Sequence, residues 1–306
     1  MTQQTRLKVI VAMPAYNEEK YIGTLVLEAK QYADEVIVLD DGSTDETSKI
    51  ARLAGATVIR HEQNKGKGAA IQSILAEAKR RAPDALVLLD ADAQHHTEDI
   101  PKLVTPILNK EADIIIGSRF LKPTQGTQLA QQTQGTQVPF YRRIGQKVLL
   151  HSTYILSGKK LTDSESGFRV FSREAITLLE LRENGMSVSA ETIAAAADRG
   201  LKVTEIPISI TYTRDGSTLN PVSHGVGVLA RIIAMISERR PLLFFGLGGG
   251  ISTLLGLLAG ARVLSISAAG GGVATGIALV SALLLTIGIF SIFTGVILNV
   301  LIKRRD

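Results

Sequence analysis

Two carboxylates and an amide close an apolar run at Asp90-Ala91-Asp92-Ala93-Gln94. The preceding residues, Ala85-Leu86-Val87-Leu88-Leu89, carry no polar side chain and read as a buried parallel strand. Such a strand delivers both acids to the rim of a sheet. Carboxylates two residues apart, with an amide oxygen beyond them, offer a hard-oxygen site for a divalent cation, Mg²⁺ or Mn²⁺, that carries a diphosphate. His95 and His96 follow at once. Adjacent histidines without a Cys/His framework make a weak zinc site and are read as supporting or exposed residues. What separates a cation site from a solvated acidic turn is the company the motif keeps.

Ligands of open α/β sheets bind beyond the carboxyl ends of the strands. The elements that bring other polar loops to that edge therefore decide the chemistry. Residues 8–13 read as a first strand, broken by Pro14-Ala15-Tyr16-Asn17-Glu18-Glu19, which opens a helix through about residue 31. Residues 35–39 read as a second strand, ending in Asp40-Asp41-Gly42-Ser43. A helix over 45–53 follows, with Thr44 or Asp45 as its N-cap. A short third strand covers 57–60, and Asn64-Lys65-Gly66-Lys67-Gly68 is a turn that launches a helix over 69–81. After the acids come a helix near 98–109 and a fifth strand over 113–116. Strands alternating with helices argue an α/β domain with a parallel sheet.

Beyond Phe120 the pattern changes. Residues 121–138 are rich in Gln, Thr and Gly, with Thr-Gln-Gly-Thr-Gln at both 124–128 and 133–137. This reads as a low-complexity loop. A helix over 141–156 follows, then Asp163-Ser164-Glu165-Ser166-Gly167-Phe168-Arg169, then helical segments near 173–183 and 188–199. A β-rich piece over 202–212 leads to Arg214-Asp215-Gly216-Ser217-Thr218.

The 306 residues, 45% of them apolar, allow a sizeable α/β core, but the apolar residues are unevenly spread. No residue is charged over 241–261 or over 263–302. About 20 apolar residues cross a bilayer as a helix. Two spans, about 242–261 and 275–300, are expected as a transmembrane hairpin. A buried soluble hairpin would seldom stay uncharged on every face for so long. Glu238-Arg239-Arg240 precedes the first span and Lys303-Arg304-Arg305 follows the second, so the positive-inside rule puts the N-terminal domain in the cytoplasm. Residues 222–240 read as an amphipathic helix at the membrane interface. The polar start shows no signal peptide, and the absence of cysteine fits a reducing compartment. A net charge of +5 fits contact with anionic lipid or diphosphate; with no Trp and no nucleic-acid motif, nucleic acid is set aside as a partner.

Six motifs stand in order: Pro14-Ala15-Tyr16-Asn17-Glu18, Asp40-Asp41-Gly42-Ser43, Asn64-Lys65-Gly66-Lys67-Gly68, Asp90-Ala91-Asp92-Ala93-Gln94, Gly117-Ser118-Arg119 and Asp163-Ser164-Glu165-Ser166-Gly167-Phe168. Each alone is weak. Together, over about residues 7–220, they resemble the family-2, GT-A-fold inverting glycosyltransferases, and most closely the dolichyl- and polyprenyl-phosphate sugar synthases typified by dolichol-phosphate mannose synthase. The resemblance implies a GT-A (nucleotide-diphospho-sugar transferase, Rossmann-like) domain over 1–221, the interfacial helix over 222–240 and the transmembrane hairpin over 241–306. The enzyme would lie in the cell membrane, with its catalytic domain on the cytoplasmic face. The implied activity moves a hexose from a UDP- or GDP-linked sugar to a polyprenyl or dolichyl phosphate. Partners are then the nucleotide sugar, the lipid phosphate and membrane lipid; a second copy of the chain is left open.

The resemblance also implies roles. Pro14, Tyr16, Glu18, Asp40, Asp41 and Gly42 match positions around the nucleotide base and ribose, and Lys65 and Lys67 match base or phosphate contacts. Asp92 and Gln94 match metal ligands, with Asp90 on metal, ribose or sugar. Arg119, Arg142 and Arg214 match arginines that bind the acceptor phosphate. A lipid phosphate is already an anion and needs positioning more than deprotonation, which suits the planar fork of arginine. Asp163 would orient the acceptor or act as a base. Loop 121–138 departs from the family pattern where an acceptor loop would close, which leaves the choice of sugar open. Other acceptors, such as a glycan or glycolipid, stay as alternatives. Processive polysaccharide relatives carry a Gln-x-x-Arg-Trp signature, and this chain has no Trp. A non-catalytic membrane scaffold on the same fold is the other alternative, against which all six motifs stand intact.

Overall fold

A computed structural model describes residues 7–121, 140–211, 221–272 and 274–303; for 140–147, 221–226, 228 and 303 it describes the backbone alone. The chain divides into two compact units, one ending at Ile232 and the other beginning at Ile233.

The first unit is a three-layer α/β domain. Its strands are β1 (Val9–Ala15), β2 (Glu35–Asp40), β3 (Thr57–Arg60), β4 (Ala85–Leu88), β5 (Ile114–Ser118), β6 (Arg169–Ser172) and β7 (Val203–Pro207). They form one sheet in the order β3-β2-β1-β4-β6-β5-β7. Its helices are α1 (Ile22–Ala29), α2 (Thr47–Leu53), α3 (Lys67–Arg81), α4 (Ile100–Leu108), α5 (Phe140–Ser157), α6 (Arg173–Leu178) and α7 (Val188–Asp198). A single 3₁₀ turn, Thr97–Asp99, precedes α4. The helix α8 (Pro221–Arg239) runs through the boundary between the units.

Strand alternation sorts the core into two faces. Val9, Val11, Met13, Val36, Val38, Val87 and Ile115 point to one side, where Ile22, Val26, Leu103 and Ile107 of α1 and α4 cover them. Ile10, Ala12, Ile37, Leu39, Leu86 and Ile116 point to the other, beneath Ile71, Ile74, Ile176 and Ile193 of α3, α6 and α7. Strands buried on both faces read as unbroken apolar runs, which is why β1, β2 and β4 were visible in the sequence.

The sheet is mixed, which corrects the expectation of parallel strands throughout. β6 pairs antiparallel with both β4 and β5, with Arg169 opposite Leu88 and Ile116. This strand was not foreseen. Its reversal has a consequence: its first residue lies at the edge where β4 and β5 end, so Asp163–Phe168 arrive beside the acids. Gly117 N donates to Phe168 O at 2.9 Å. The helix after β1 also starts later than expected, at Ile22. α2 is preceded by Glu46 without a side-chain cap, although Asp45 Oδ1 accepts from Thr47 N at 3.0 Å.

The second unit contains the end of α8 and two long helices, α9 (Pro241–Ala268) and α10 (Thr275–Lys303). Both are long and apolar enough to cross a membrane. They pack on each other through small residues. A Cβ on Gly249 would lie 2.6 Å from Gly288 O. Ser281 Oγ donates to Gly256 O at 2.7 Å, Ser252 Oγ to Leu284 O at 2.8 Å and Ser291 Oγ to Phe245 O at 2.9 Å. Leu247, Leu254, Leu264, Leu279, Phe290 and Phe293 stay exposed around the pair.

Candidate active site

Asp90 leaves the end of β4 and lies against a lysine. Lys67 Nζ, at the start of α3, is 2.7 Å from Asp90 Oδ1. Burial works to raise the Asp90 pKa, but Lys67 foremost, then His95 and Arg119, hold it below the usual carboxylate range. Gly167 leaves no room on the other side: a Cβ there would collide with the Asp90 carboxylate. Asp92 is turned by Ala93, a non-glycine residue at φ 57°, and its Oδ1 accepts from Gln94 N at 3.1 Å. Burial first, and the charge of Asp90 second, push the Asp92 carboxyl up. Glu18 joins the same field from the loop after β1. Burial, then Asp92, Asp45 and Asp90, push it up to about 7.

Three acids thus share one electrostatic field, with Lys67 on Asp90. Among the described residues no three Asp, Glu, His or Cys side chains close on one point as a preformed metal cage. Mg²⁺-type sites need no such cage: they take one or two carboxylates and complete the sphere with phosphate and water. The upward push on Asp92 and Glu18 from burial and neighbouring carboxylates, and the all-oxygen donor set of Asp90, Asp92 and Gln94, fit that kind of site.

Arg119 and Asp163, foreseen separately, form a pair. Arg119 Nε lies 2.6 Å from Asp163 Oδ2, Nη2 lies 2.8 Å from Oδ1, and Arg119 N donates to Oδ2 at 3.1 Å. The Asp163 side chain is 2% exposed. Glu205 of β7 accepts from Asp163 N at 2.8 Å, fixing the loop beneath it. Arg169 anchors the same loop from inside, donating to the carbonyls of Ser164, Ser166 and Ser189 at 2.7, 2.9 and 3.0 Å.

Asp40 and Asp41 hold the loops around them. Asp40 is fully buried; it accepts from Ser43 N at 2.8 Å and from Ser48 Oγ, and Arg60 Nε is 3.5 Å away. Asp41 accepts from Lys65 N at 2.9 Å and Gly66 N at 2.8 Å, and His61 Nδ1 lies 2.6 Å from it. Gly42, at φ 75°, meets protein: a Cβ would lie 2.6 Å from Asn64 N. These residues bind the loops after β2 and β3 together. Tyr16 stands 45% exposed beside them, and Pro14 is half-buried at the end of β1. Asn17, at φ 56°, laces the first loop to the second, accepting from Thr44 N at 2.9 Å.

His95 was expected to be supporting or exposed, and Glu165 and Glu205 had no expected role. His95 is buried against Phe168, with ring centroids 5.4 Å apart. Its Nδ1 has no hydrogen-bond partner among the described residues, and burial pulls its pKa down. Glu165, pushed up by burial, and Glu205 line the loop under Asp163. Their position two residues from a foreseen acid or on a short strand was the only signal. His96 is exposed, with Nε2 3.0 Å from Thr211 Oγ1. The Arg142 side chain, all of Arg214 and loop residues 122–138 lie outside the described residues.

This edge-borne acid pair sits in a chain whose residues 10–177 match the family described as Glycosyl transferase family 2. The chain is a family 2 glycosyltransferase. A UDP-N-acetylglucosamine–dolichyl-phosphate N-acetylglucosaminyltransferase of Methanococcus voltae is 33% identical to this transferase over 226 residues, covering 67% of this chain and 86% of the relative. A dolichyl-phosphate hexose transferase of Haloferax volcanii is 30% identical over 244 residues, covering 78% of this chain and 99% of the relative. Among solved structures, glucosyl-3-phosphoglycerate synthase of Mycobacterium tuberculosis in complex with UDP matches at TM-score 0.58 and 25% identity, over 76% of this chain and 80% of that one. The same enzyme in complex with Mn²⁺, UDP-glucose and phosphoglyceric acid matches at TM-score 0.58 and 22% identity, a likeness of fold alone. The glycosyltransferase thus has the GT-A-like α/β fold that the motif order implied.

Proposed function

We propose that this glycosyltransferase moves a hexose from a nucleotide sugar to a polyprenyl or dolichyl phosphate at a membrane surface. The observation that supports the reading best is the acid edge: Asp90 at the end of β4 paired to Lys67 at 2.7 Å, with Asp92 and Glu18 in the field of its charge. The donor's diphosphate lies along this edge, with Tyr16 and the loops held by Asp40, Asp41 and Gly42 around its nucleoside. Asp92 and Gln94, with Asp90, would hold Mg²⁺ or Mn²⁺, which would supply the charge neutralisation that a departing diphosphate needs.

The chain's own residues do the rest. Lys67 keeps Asp90 ionised and adds positive charge where diphosphate charge grows. The acceptor phosphate oxygen attacks the anomeric carbon as the bond to the diphosphate oxygen breaks, which inverts that carbon. Positioning, more than deprotonation, is the protein's contribution. Arg119, Arg142 and Arg214 supply the acceptor-phosphate contacts. On this reading the acceptor phosphate competes with Asp163 for the Arg119 guanidinium.

α9 and α10 span the membrane, and α8 leads into them as an interfacial helix. Arg239 and Arg240 on one flank and Lys303 to Arg305 on the other support a cytoplasmic catalytic domain. The test incubates purified protein in detergent with polyprenyl phosphate and a panel of radiolabelled UDP- and GDP-sugars. Metal-dependent transfer of one hexose to the lipid is expected. Transfer to glycan or glycolipid acceptors but not to lipid phosphate would redirect the reading to another acceptor.

A further inference from the structure

Glu183 is a buried carboxylate away from the acid edge, its side chain 8% exposed. Arg231 of α8 forks onto it. Nε lies 2.8 and 2.9 Å from its two oxygens, and Nη2 lies 2.7 Å from Oε1. Ser187 Oγ donates to Oε2 at 2.9 Å. Glu191 of α7, also buried, accepts from Arg182 N at 2.9 Å and from Glu183 N at 2.9 Å. Segment 182–187 is therefore fixed by one carboxylate on a helix beneath it and by one arginine on a helix beside it.

The fixed segment meets the first turn of α3. Asn184 O accepts from Gly68 N at 2.8 Å and from Ala69 N at 3.3 Å. Gln72 Nε2 donates to Glu183 O at 2.9 Å. The two backbones approach too closely for side chains. A Cβ on Gly66 would lie 2.5 Å from Asn184 O, and one on Gly68 would lie 2.7 Å from Asn184 C. Lys67 stands between these glycines, and its ammonium is the one on Asp90. A one-sided anchor would leave that turn free to rotate, whereas this segment holds it through two hydrogen bonds and two side-chain-free contacts.

The geometry points to Glu183 and Arg231 as positioning residues: they clamp segment 182–187 onto the first turn of α3 and so aim Lys67 at Asp90 and the donor diphosphate. The inference rests on the transferase reading for its diphosphate, but the clamp itself is a property of the fold. It assigns a task to α8 apart from the membrane surface, because the helix that leads into α9 also carries the arginine.

The test compares full-length wild type with Arg231→Ala, Glu183→Gln and the conservative Arg231→Lys in detergent. Backbone amide exchange is read at Gly68 and Ala69, and binding is measured for Mn²⁺–UDP, Mn²⁺–GDP and the free nucleosides. Breaking the pair should speed exchange at those two amides by roughly two- to thirtyfold, the range found when a packed coupling chain is interrupted. Diphosphate affinity should fall by a similar factor, nucleoside affinity should hold, and Arg231→Lys should recover most of both. Unchanged exchange at Gly68 and Ala69 overturns the clamp, whatever happens to binding. Exchange that rises equally in β1 and β2 also overturns it, because the pair then serves global stability. Wild-type protein that binds neither nucleotide, while exchange still responds locally, overturns the transferase reading and supports the clamp.

Discussion

Gly167 offers a test of the acid edge that separates its packing from its charge. A Cβ at this position would lie 2.5 Å from Asp90 Oδ1 and nearer still to the other carboxylate oxygen. Its φ is outside the left-handed region, so alanine is opposed by the neighbour and not by the backbone. In Gly167→Ala the carboxylate must swing away, which opens the 2.7 Å pair with Lys67. Overpacking of this kind costs about 1–3 kcal/mol. In an Asp90→Ala background the obstruction is gone. The same substitution should then stabilise by about 0.4–1 kcal/mol, through the lost freedom of the unfolded chain. The coupling between the sites is the difference of these effects, about 1.4–4 kcal/mol with a change of sign. Denaturant unfolding of wild type, both single variants and the double variant in detergent measures it. Transfer by Gly167→Ala should also fall about 100-fold, the cost of misplacing a reacting group by roughly 1 Å. Equal destabilisation by Gly167→Ala in both backgrounds would refute the packing argument.

Glu18, pushed up to about 7 in the metal-free protein, gives a pH dependence. A bound cation favours its ionised form, so Mn²⁺–nucleotide affinity measured by calorimetry should rise with pH up to about 7 and level off above; Glu18→Gln should flatten the curve. Because its folded pKa exceeds its unfolded one, the protein should lose stability as pH rises from about 4.5 through about 7, read as a falling Tm that Glu18→Gln lessens. Arg119→Ala leaves Asp163 buried without its fork and should cost about 3–5 kcal/mol by denaturant unfolding, whereas Arg119→Lys, which keeps a charge, should cost less. Asp41→Ala removes the acceptor for Lys65 N and one of two for Gly66 N, which keeps Asn64 Oδ1 at 3.0 Å. Hydrogen exchange should accelerate most at Lys65 N, with a stability loss of about 1–3 kcal/mol for that unsatisfied donor.

Patterns that lie within one stretch of chain were legible from the letters. β1, β2 and β4 announced themselves as apolar runs ending in polar loops, and α9 and α10 as charge-free stretches. β6 was hidden because Arg169-Val170-Phe171-Ser172 is short and begins with a charge. That charge is buried only because three carbonyls from residues 164, 166 and 189 receive it. The pairings that give the site its character join residues far apart in sequence. Lys67 meets Asp90, Arg119 meets Asp163 and Arg231 meets Glu183, and no local spacing announces any of them. Asp40 and Asp41 are expected near the nucleoside, and an Asp after a strand serves loops and ligands equally well. Only the geometry of Ser43 N, Lys65 N and Gly66 N shows which partners they hold.

On the proposed reading the carboxylates after β4 hold a cation against a nucleoside diphosphate. Calorimetric titration of UDP and GDP into the full-length protein, with and without Mn²⁺, addresses it most directly. One nucleotide should bind tightly with the metal and weakly after EDTA, and Asp92→Ala should abolish the metal-dependent part while leaving Tm unchanged or higher. Equal binding with and without Mn²⁺, or a metal dependence that survives Asp92→Ala, would contradict the account.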